Sequence, residues 1–219
     1  MLQVLFEDNH CLAVAKPARL LVAGDETGDE TLLDRAKAYL KQKYAKPGDV
    51  YLGLVHRLDR PVSGVVLFAR TSKAAGRLSE QFRMGTAHKV YHALVESTPS
   101  PPEGELHDWL LKDEKLNISR RVPGSTPGAK ECVLRYRVLE PRRPDGMSLV
   151  EVTPLTGRSH QIRVQLSGQG WPILGDAKYG ARRPFDEGAI ALHAYELTFE
   201  HPVRRAPVVV RCAAPWDED

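Results

Sequence analysis

The residues Val65-Val66-Leu67-Phe68-Ala69 form a continuous apolar run. A short apolar run bounded by turn residues predicts a strand that is buried on both faces. Charged residues precede it directly, in the segment His56-Arg57-Leu58-Asp59-Arg60 that ends at Pro61. These charges are therefore predicted to lie on a loop held by a rigid strand, which is where proteins often carry reactive groups.

Asp59 is the only acidic residue of that segment, and Arg57 and Arg60 flank it. Nearby positive charge lowers the pKa of a carboxyl group, so we expect Asp59 to be ionised. An ionised carboxylate can act as a nucleophile or as a base, but it cannot act as an acid. The same pattern is also typical of a surface turn closed by salt bridges, and the segment alone does not decide between the two.

The remaining elements are predicted as short strands in hairpins and meanders, with few regular alternations of strand and helix. We expect strands at 4–7, 11–16, 65–69, 89–96, 132–138, 149–153, 192–199 and 208–212, and helices at 31–44 and 159–167. A further helix is expected to be capped by Ser72, to reach about Met84 and to stop at Gly85. This order favours an α+β fold with a mixed, mainly antiparallel central sheet flanked by helices and loops over a doubly wound fold. We expect one domain over residues 1–219, or two closely fused subdomains.

Residues 97–128 are predicted to be irregular because five prolines interrupt them. We interpret them as a long connection or insertion with a strand at 106–111. Such a segment can close over a ligand or serve as a plain linker, and the sequence leaves both open.

The distribution of charge is more informative than the net charge of +3. Residues 54–92 hold seven Lys and Arg against two Asp and Glu, and residues 120–183 hold twelve against five. A basic surface around a reactive carboxylate suits a polyanionic substrate. A solvated face without a partner would show the same charge pattern, so charge alone leaves both interpretations open.

The chain shows no secretory signal and no apolar run long enough to span a bilayer. Its three cysteines, Cys11, Cys132 and Cys212, are odd in number and far apart. They indicate a reducing compartment without a disulfide framework. We therefore expect a cytoplasmic protein that does not bind membranes.

A second motif, Thr156-Gly157-Arg158-Ser159-His160-Gln161-Ile162-Arg163, changes the interpretation of Asp59. The other segments that accompany it in order are Lys16-Pro17, His56 to Asp59 with Ser63-Gly64, Lys89-Val90-Tyr91, Gly175-Asp176 with Tyr179-Gly180, and Leu192-His193-Ala194. Together they resemble the RluA-type family of RNA pseudouridine synthases, from about Val4 to about Pro207. The resemblance is to the short form that lacks an added N-terminal RNA-binding domain, and it implies a pseudouridine synthase fold with a catalytic cleft across the sheet.

The resemblance implies an isomerisation of uridine in RNA. The N1–C1′ glycosidic bond breaks, the uracil turns, and C5 bonds to C1′, without gain or loss of atoms and without redox change. Such a reaction needs no cofactor, and the sequence has no phosphate-binding loop, dinucleotide fingerprint or cysteine pair with zinc spacing. We expect no cofactor and no metal.

The resemblance also implies roles for three catalytic residues. Asp59 would be essential, either by attacking C1′ or by removing the ribose 2′ proton, and the sequence leaves both open. Tyr91 would pack against the target uracil, and its hydroxyl could help to remove the C5 proton. Arg163 would pair with Asp59, orient it and keep it deprotonated, which suits a forked guanidinium.

A base within folded RNA must leave its stack to reach a pocket, so further residues must bind the displaced nucleotide. The resemblance implies that Arg57 takes part in flipping, and we predict that Arg60 contacts a phosphate. The predicted substrate-binding set is completed by His56, Leu155, Arg158, His160, Gln161 and Ile162. Within that set, His160 and Gln161 would shape the backbone around Arg163, and Leu155 and Ile162 would form an apolar wall.

The predicted partner is structured RNA, transfer RNA first and ribosomal RNA second, for a monomer that requires no protein partner. Two other functions were weighed. A catalytically silent RNA-binding or chaperone protein on the same fold would be marked by loss of Asp59, Tyr91 or Arg163, and all three are present. A hydrolase or nuclease using His56 and Asp59 would need a nucleophilic serine or a cluster of metal-binding carboxylates near the loop. Ser63 has no evident base and orienting group, and carboxylates are scarce in residues 54–92.

Overall fold

The structure is a computed structural model that describes residues 2–24 and 28–217. It contains two compact units, one formed by residues 1–89 and 194–219 and the other by residues 90–193. The boundaries between the units fall inside the strands His88–Val95 and Leu192–Glu200. Within the described residues, no helix combines the length and apolar character that crossing a bilayer would require.

The first unit is built on β1 (Val4–Glu7), β2 (Cys11–Lys16), β3 (Gly53–Leu54) and β4 (Ser63–Ala69), together with the later part of β10 (Leu192–Glu200) and with β11 (Pro207–Arg211). The order is β1-β2-β4-β10, with β3 on β4 and β11 on β10. Strand β4 is buried throughout, as its apolar run predicts. Its antiparallel register with β2 places Lys16 opposite Gly64, directly after the loop that carries Asp59.

Two helices complete the first unit, and their ends follow from local chemistry. Helix α1 (Leu32–Lys43) begins with a capping box in which Thr31 and Asp34 bond each other's backbone N–H groups. Helix α2 (Ser72–Met84) is capped by Thr71 and not by Ser72 as we predicted, because the Thr71 hydroxyl accepts from the N–H of Ala74 at 3.1 Å. It ends at Gly85, which has a left-handed φ of 72°.

Alternation along the strands creates the core of this unit. Every second residue of β2, β4 and β10 points to the same face, and the inner face of α2 covers them. The buried cluster comprises Cys11, Ala13, Val65, Leu67, Ala69, Ala74, Leu78, Ala87, Leu197, Phe199, Val210 and Cys212. All three cysteines are buried, and none of them forms a disulfide in the structure.

The second unit is built on an antiparallel sheet. Its strands are β5 (His88–Val95), β6 (Glu103–Asp113), β7 (Ile118–Arg121), β8 (Lys130–Glu140) and β9 (Ser148–Pro154), in the order β5-β9-β8-β6-β7. Helix α3 (Gln161–Gly168) and a short 3-10 turn (Ala177–Tyr179) follow. The strand pairs with a described register are antiparallel in both units, which confirms the predicted α+β class with a mainly antiparallel sheet.

Two predictions about the second unit were wrong. Residues 97–128 are not irregular, because β6 and β7 form a hairpin there, and β6 begins before and ends after the predicted strand at 106–111. The prolines lie on either side of the hairpin, so they bound its strands without breaking them. Helix α3 begins at Gln161 and not at Ser159. His160 has a left-handed backbone conformation with φ of 55°, which is not that of a right-handed helix, so the helix can begin only at the next residue.

Candidate active site

Asp59 lies on a tight turn in the first unit, between β3 and β4. Its carbonyl oxygen accepts the N–H of Val62 at 3.1 Å, which closes the turn over Pro61. The side chains of Leu58 and Val62 are buried on either side, whereas Asp59 itself is partly exposed. The buried neighbours therefore anchor the turn, and Asp59 remains partly exposed between them.

Lys16 holds this turn from inside the unit. Its side chain is 1% exposed, and its ammonium donates to the carbonyls of Pro17 at 3.0 Å, Leu20 at 2.7 Å and Arg60 at 3.1 Å. The pKa of Lys16 is lowered to about 7, chiefly by burial; the negative charge of Asp59 opposes this shift and the positive charge of Arg60 adds to it. The sequence identified Lys16 only as part of a motif, and the structure shows it as the internal support of the Asp59 loop.

The two arginines that flank Asp59 differ in their surroundings. The Arg60 guanidinium donates to the Arg19 carbonyl at 3.0 Å and pairs with Asp29 at 2.8 Å. Arg57 is exposed, and within residues 2–24 and 28–217 no hydrogen bond or ion pair engages its side chain. Arg60 therefore ties the loop to its neighbours, whereas Arg57 can reorient without breaking a contact. The predicted phosphate contact of Arg60 stays a prediction.

His56 supports the start of the same loop. Its Nε2 accepts the N–H of Leu67 on β4 at 2.9 Å, and its ring stacks on Phe82 with centroids 4.4 Å apart. Burial and, to a smaller extent, the positive charge of Lys89 together lower the pKa of His56 to about 3. The imidazole is neutral at physiological pH and acts as a hydrogen-bond acceptor for the strand. These contacts make His56 a structural support, and its predicted contact with substrate stays a prediction.

Arg163 lies on α3 of the second unit and is buried together with Asp176. Nε is 2.7 Å from Oδ2 and Nη2 is 2.8 Å from Oδ1, so the carboxylate and the guanidinium meet at two points. The guanidinium carbon also lies 4.9 Å from the centroid of the Tyr179 ring. A guanidinium has five N–H donors, so this pairing fixes the orientation of Arg163 and still allows it to serve a second anion.

Tyr179 connects the backbone around Arg163. Its hydroxyl accepts the N–H of Ser119 at 3.0 Å and lies 2.7 Å from Nδ1 of His160. The Ser119 hydroxyl in turn donates to the carbonyl of Ser159 at 2.8 Å. The buried His160 thus has a hydrogen-bonding partner inside the unit, and the β6–β7 hairpin is tied to the start of α3.

Gln161 organises the segment before Arg163. Its Oε1 accepts the Thr156 hydroxyl at 2.8 Å and the N–H of Arg158 at 3.0 Å, and its Nε2 donates to the carbonyl of Val133 at 3.0 Å. The Arg158 side chain is exposed and donates to the carbonyl of Glu131 at 2.9 Å. Contact of Gln161 or Arg158 with a substrate stays a prediction.

The remaining predicted residues of this unit are also positioned by regular elements. Tyr91 is partly exposed on β5, where it pairs in register with Val152 of β9. Ile162 is 7% exposed on α3, while Leu155 is 41% exposed after β9. Leu155 is therefore available to line an apolar surface, and Ile162 contributes mainly to the interior.

Each unit brings together a subset of the predicted residues. His56, Arg57, Asp59 and Arg60 share one loop of the first unit, and Arg158 to Arg163 share one loop and helix of the second. Sequence reasoning assigned no role to Lys16, Asp176 or Tyr179. Their presence in the motifs was the only available signal, because the bonds that define their roles join residues distant in sequence.

Asp8, Cys11 and His201 form a group of possible metal ligands among the described residues, with their ligand atoms within 4.8 Å of one another. Nδ1 of His201 accepts the N–H groups of Val203 at 3.2 Å and Arg204 at 2.9 Å, so its proton is on Nε2, which donates to Asp8 at 2.7 Å. Burial raises the pKa of the Cys11 thiol to about 12. Both ring nitrogens are thus engaged and the thiol is protonated, so this group is a structural tie.

Similarity to known proteins extends over nearly the whole chain. The family model described as RNA pseudouridylate synthase matches residues 10–168. The tRNA pseudouridine synthase C of Pectobacterium carotovorum subsp. carotovorum is 34% identical over 235 residues, which cover 99% of this chain and 60% of that protein. The ribosomal large subunit pseudouridine synthase C of Vibrio vulnificus (strain CMCP6) is 34% identical over 222 residues, covering 98% of this chain and 66% of that protein.

A solved structure gives the same result for the fold. Human RNA Pseudouridylate Synthase Domain Containing 4 matches with a TM-score of 0.80 and 26% identity, and the match covers 97% of this chain and 88% of that one. This likeness agrees with the fold class predicted from the order of strands and helices.

Proposed function

This chain belongs to the RNA pseudouridylate synthase family, and from that premise we propose that it isomerises specific uridines of structured RNA with Asp59 as the catalytic residue. The observation that carries the proposal is the construction of the Asp59 turn. The carboxylate is partly exposed on a turn that Lys16 supports from within and that Arg60 ties to its neighbours. Such a fixed carboxylate is suited to chemistry that depends on exact placement of a reacting atom.

We propose that Asp59 starts the reaction in one of two ways. It attacks C1′ as a nucleophile, or it removes the 2′ proton as a base, and the N1–C1′ bond breaks in either case. The released uracil turns and C5 bonds to C1′. In the first route this bond displaces the Asp59 carboxylate from C1′, and in the second Asp59 returns the proton to C2′. The C5 proton is then lost as N1 gains one. Tyr91 is the proposed partner of the uracil during this turn, with its hydroxyl next to the departing C5 proton.

Arg163 is the proposed partner of the Asp59 carboxylate. Its two-point pair with Asp176 supports this role because it fixes the guanidinium plane while using only part of its donor set. An oriented cation next to Asp59 would keep the carboxylate ionised. The meeting of Asp59, Tyr91 and Arg163 in one cleft stays a prediction.

The target nucleotide must leave its stack before it can reach Asp59. Arg57 is the proposed residue that takes its place, since its exposed side chain is engaged by no hydrogen bond or ion pair within residues 2–24 and 28–217. A planar guanidinium can stack on bases and can also bind phosphate. Arg60 is better placed to hold the loop, and a phosphate contact through it would have to compete with Asp29.

We propose transfer RNA as the first candidate substrate and ribosomal RNA as the second. Relatives named for each kind of RNA are equally similar to this chain, at 34% identity, so similarity does not rank the two. A single domain, a monomeric state, a cytoplasmic location and independence of other proteins stay predictions.

The proposal is tested by mapping pseudouridines in transfer and ribosomal RNA from cells with and without this gene. We expect one or more sites to disappear without the gene and to return with the wild-type protein but not with Asp59→Asn. Identical maps for both classes of RNA in the two strains would contradict the proposed substrates.

A further inference from the structure

Arg60 follows the proposed catalytic residue directly, and both its backbone and its side chain are held in place. Its carbonyl oxygen accepts the N–H of Arg19 at 2.7 Å and a bond from the Lys16 ammonium at 3.1 Å. Its side chain returns a bond to the same neighbour, because Nε donates to the carbonyl of Arg19 at 3.0 Å. The Arg60 guanidinium is therefore fixed in position and orientation on the turn that carries Asp59.

Asp29 provides a negative charge for this guanidinium. Its Oδ2 lies 2.8 Å from Nη2 of Arg60, and the Asp29 and Arg60 side chains are 49% and 50% exposed. Leu21 and Thr31, which lie on either side of Asp29 in the chain, pair with each other in a parallel bridge, and Thr31 also caps α1. The chain around Asp29 is thus anchored by contacts of its own, so the ion pair with Arg60 can open without loss of the fold.

The exposed pair of Asp29 with Arg60 contributes little to the stability of the turn. Solvent screens an exposed ion pair, and two side chains lose freedom when they form it. The Asp59 turn has stronger support, because the buried Lys16 ammonium donates to three backbone carbonyls, one of which is that of Arg60. What the pair controls is the availability of the Arg60 guanidinium to another anion.

We propose that Asp29 competes with RNA for Arg60: its carboxylate occupies the place that a phosphate oxygen of the bound RNA takes, and the RNA must displace it. This inference rests on the proposed function, because it concerns the access of that substrate to the same site. A carboxylate and a phosphate both offer oxygen acceptors to the forked N–H donors of a guanidinium. Since Nε of Arg60 stays on the Arg19 carbonyl, the exchange requires movement of Asp29 alone, and the guanidinium keeps its orientation.

Glu30→Gln is the matched control for Asp29→Asn. Glu30 is the next residue in the chain and carries the same charge, and it forms an exposed ion pair with Arg35 of α1 at 2.8 Å. Each substitution removes one negative charge and keeps the length of the side chain, so the long-range repulsion of RNA changes to a similar extent in both. Of the two variants, only Asp29→Asn removes the charge that holds the Arg60 guanidinium.

Binding of unfractionated transfer RNA and of ribosomal RNA should be measured at constant low salt, with every variant in an Asp59→Asn background so that no turnover occurs. Asp29→Asn is expected to tighten binding about two- to five-fold beyond Glu30→Gln, because an exposed ion pair no longer has to open. With Arg60→Gln added, Asp29→Asn should tighten binding no more than Glu30→Gln does. Equal affinities of the Asp29→Asn and Glu30→Gln proteins, or the same excess with and without Arg60, would overturn the inference.

Urea unfolding of each variant shows whether the comparison is between folded proteins. Arg60→Gln retains the backbone carbonyl that Lys16 and Arg19 bind, and Asp29→Asn removes only an exposed pair, so both midpoints should stay close to that of the parent protein. If Arg60→Gln does not fold, the comparison of Asp29→Asn with Glu30→Gln in the presence of Arg60 decides alone.

A parallel assay of pseudouridine formation by the wild-type protein separates this inference from the proposed function. If the wild-type protein forms pseudouridine and Asp29→Asn binds RNA no more tightly than Glu30→Gln, the competition alone is wrong. If the wild-type protein forms no pseudouridine in transfer or ribosomal RNA, the proposed function is wrong, and with it the inference that rests on it.

Discussion

Arg163 and Asp176 meet at two points inside the second unit, with side chains 6% and 1% exposed. Asp176 follows Gly175, whose left-handed φ of 84° turns the backbone before the 3-10 turn that carries Tyr179. The carboxylate is therefore delivered by a loop, while the guanidinium is delivered by α3. The carboxylate and the guanidinium must both be in place, because burying either charge alone would cost a large free energy of desolvation.

Removal of this carboxylate should be strongly destabilising. Asp176→Ala leaves Arg163 as a buried charge without this partner, and loss of one member of such a pair costs about 3–5 kcal/mol. Glu200→Ala is the matched control, because its pair with Arg205 is exposed and worth at most about 1 kcal/mol. Urea unfolding of both variants measures the difference, and equal losses of stability would contradict the assignment.

His56 should remain neutral across the range in which an ordinary histidine titrates. Burial and the charge of Lys89 lower its pKa from 6.5 to about 3 in the folded protein. The unfolded chain therefore binds a proton below pH 6.5 that the folded chain does not, so this residue makes stability fall as pH falls from 6.5 toward 3. Nitrogen chemical shifts of His56 measured by NMR between pH 8 and 5 should stay constant, and a titration near 6.5 would show that the ring is accessible to protons.

Gly64 and Gly76 should respond to alanine in opposite directions. Gly64 has a φ of 118°, and a Cβ there would collide with the carbonyl oxygen and the nitrogen of Ala194. Gly64→Ala is therefore expected to cost more than about 4 kcal/mol or to prevent folding. A Cβ at Gly76, in α2, meets nothing within 4 Å, so Gly76→Ala should stabilise by about 0.5–1 kcal/mol. Thermal unfolding tests both, and a stable Gly64→Ala protein would show that β4 and β10 are less closely packed than described.

Arg57→Ala distinguishes two ways in which this exposed residue could contact RNA. If the guanidinium binds a phosphate, the slope of affinity against salt should fall by about 1. If it stacks in place of the flipped base, the slope should stay while isomerisation slows. The exposed Arg83 on α2 provides the control, because its charge already pairs with Glu80. A variant with unchanged slope and unchanged rate would remove Arg57 from the mechanism.

Much of the fold could be predicted because local pattern and local packing agree. The apolar run of β4, the apolar face of the helix predicted at 31–44 and the stop at Gly85 each act within a few residues. The β6–β7 hairpin escapes prediction because the prolines of residues 97–128 indicate an interrupted region, although they lie outside both strands. Its stability depends on contacts with β8 and α3 that no local pattern records, such as the bond from Arg121 to the carbonyl of Gly168 at 2.7 Å.

The candidate site, like the fold, contains features that the sequence predicts and features that it does not. Asp59 stands out in the sequence because its charged neighbours and the following strand are adjacent to it. Lys16, which supports the Asp59 loop, lies far from that loop in the chain. Asp176, which pairs with Arg163, is separated from it by a loop without regular secondary structure. Such bonds depend on the register of β2 with β4 and on the course of the loop after α3, which only the folded structure provides.

The most direct test of the central claim is tritium release from RNA labelled at C5 of uridine, because release reports the formation of the new C5–C1′ bond. The wild-type protein should release tritium from unfractionated transfer RNA or ribosomal RNA, and Asp59→Asn should release none while it retains its fold and its affinity for RNA. Undiminished release by Asp59→Asn would contradict the assignment of Asp59 as the catalytic residue.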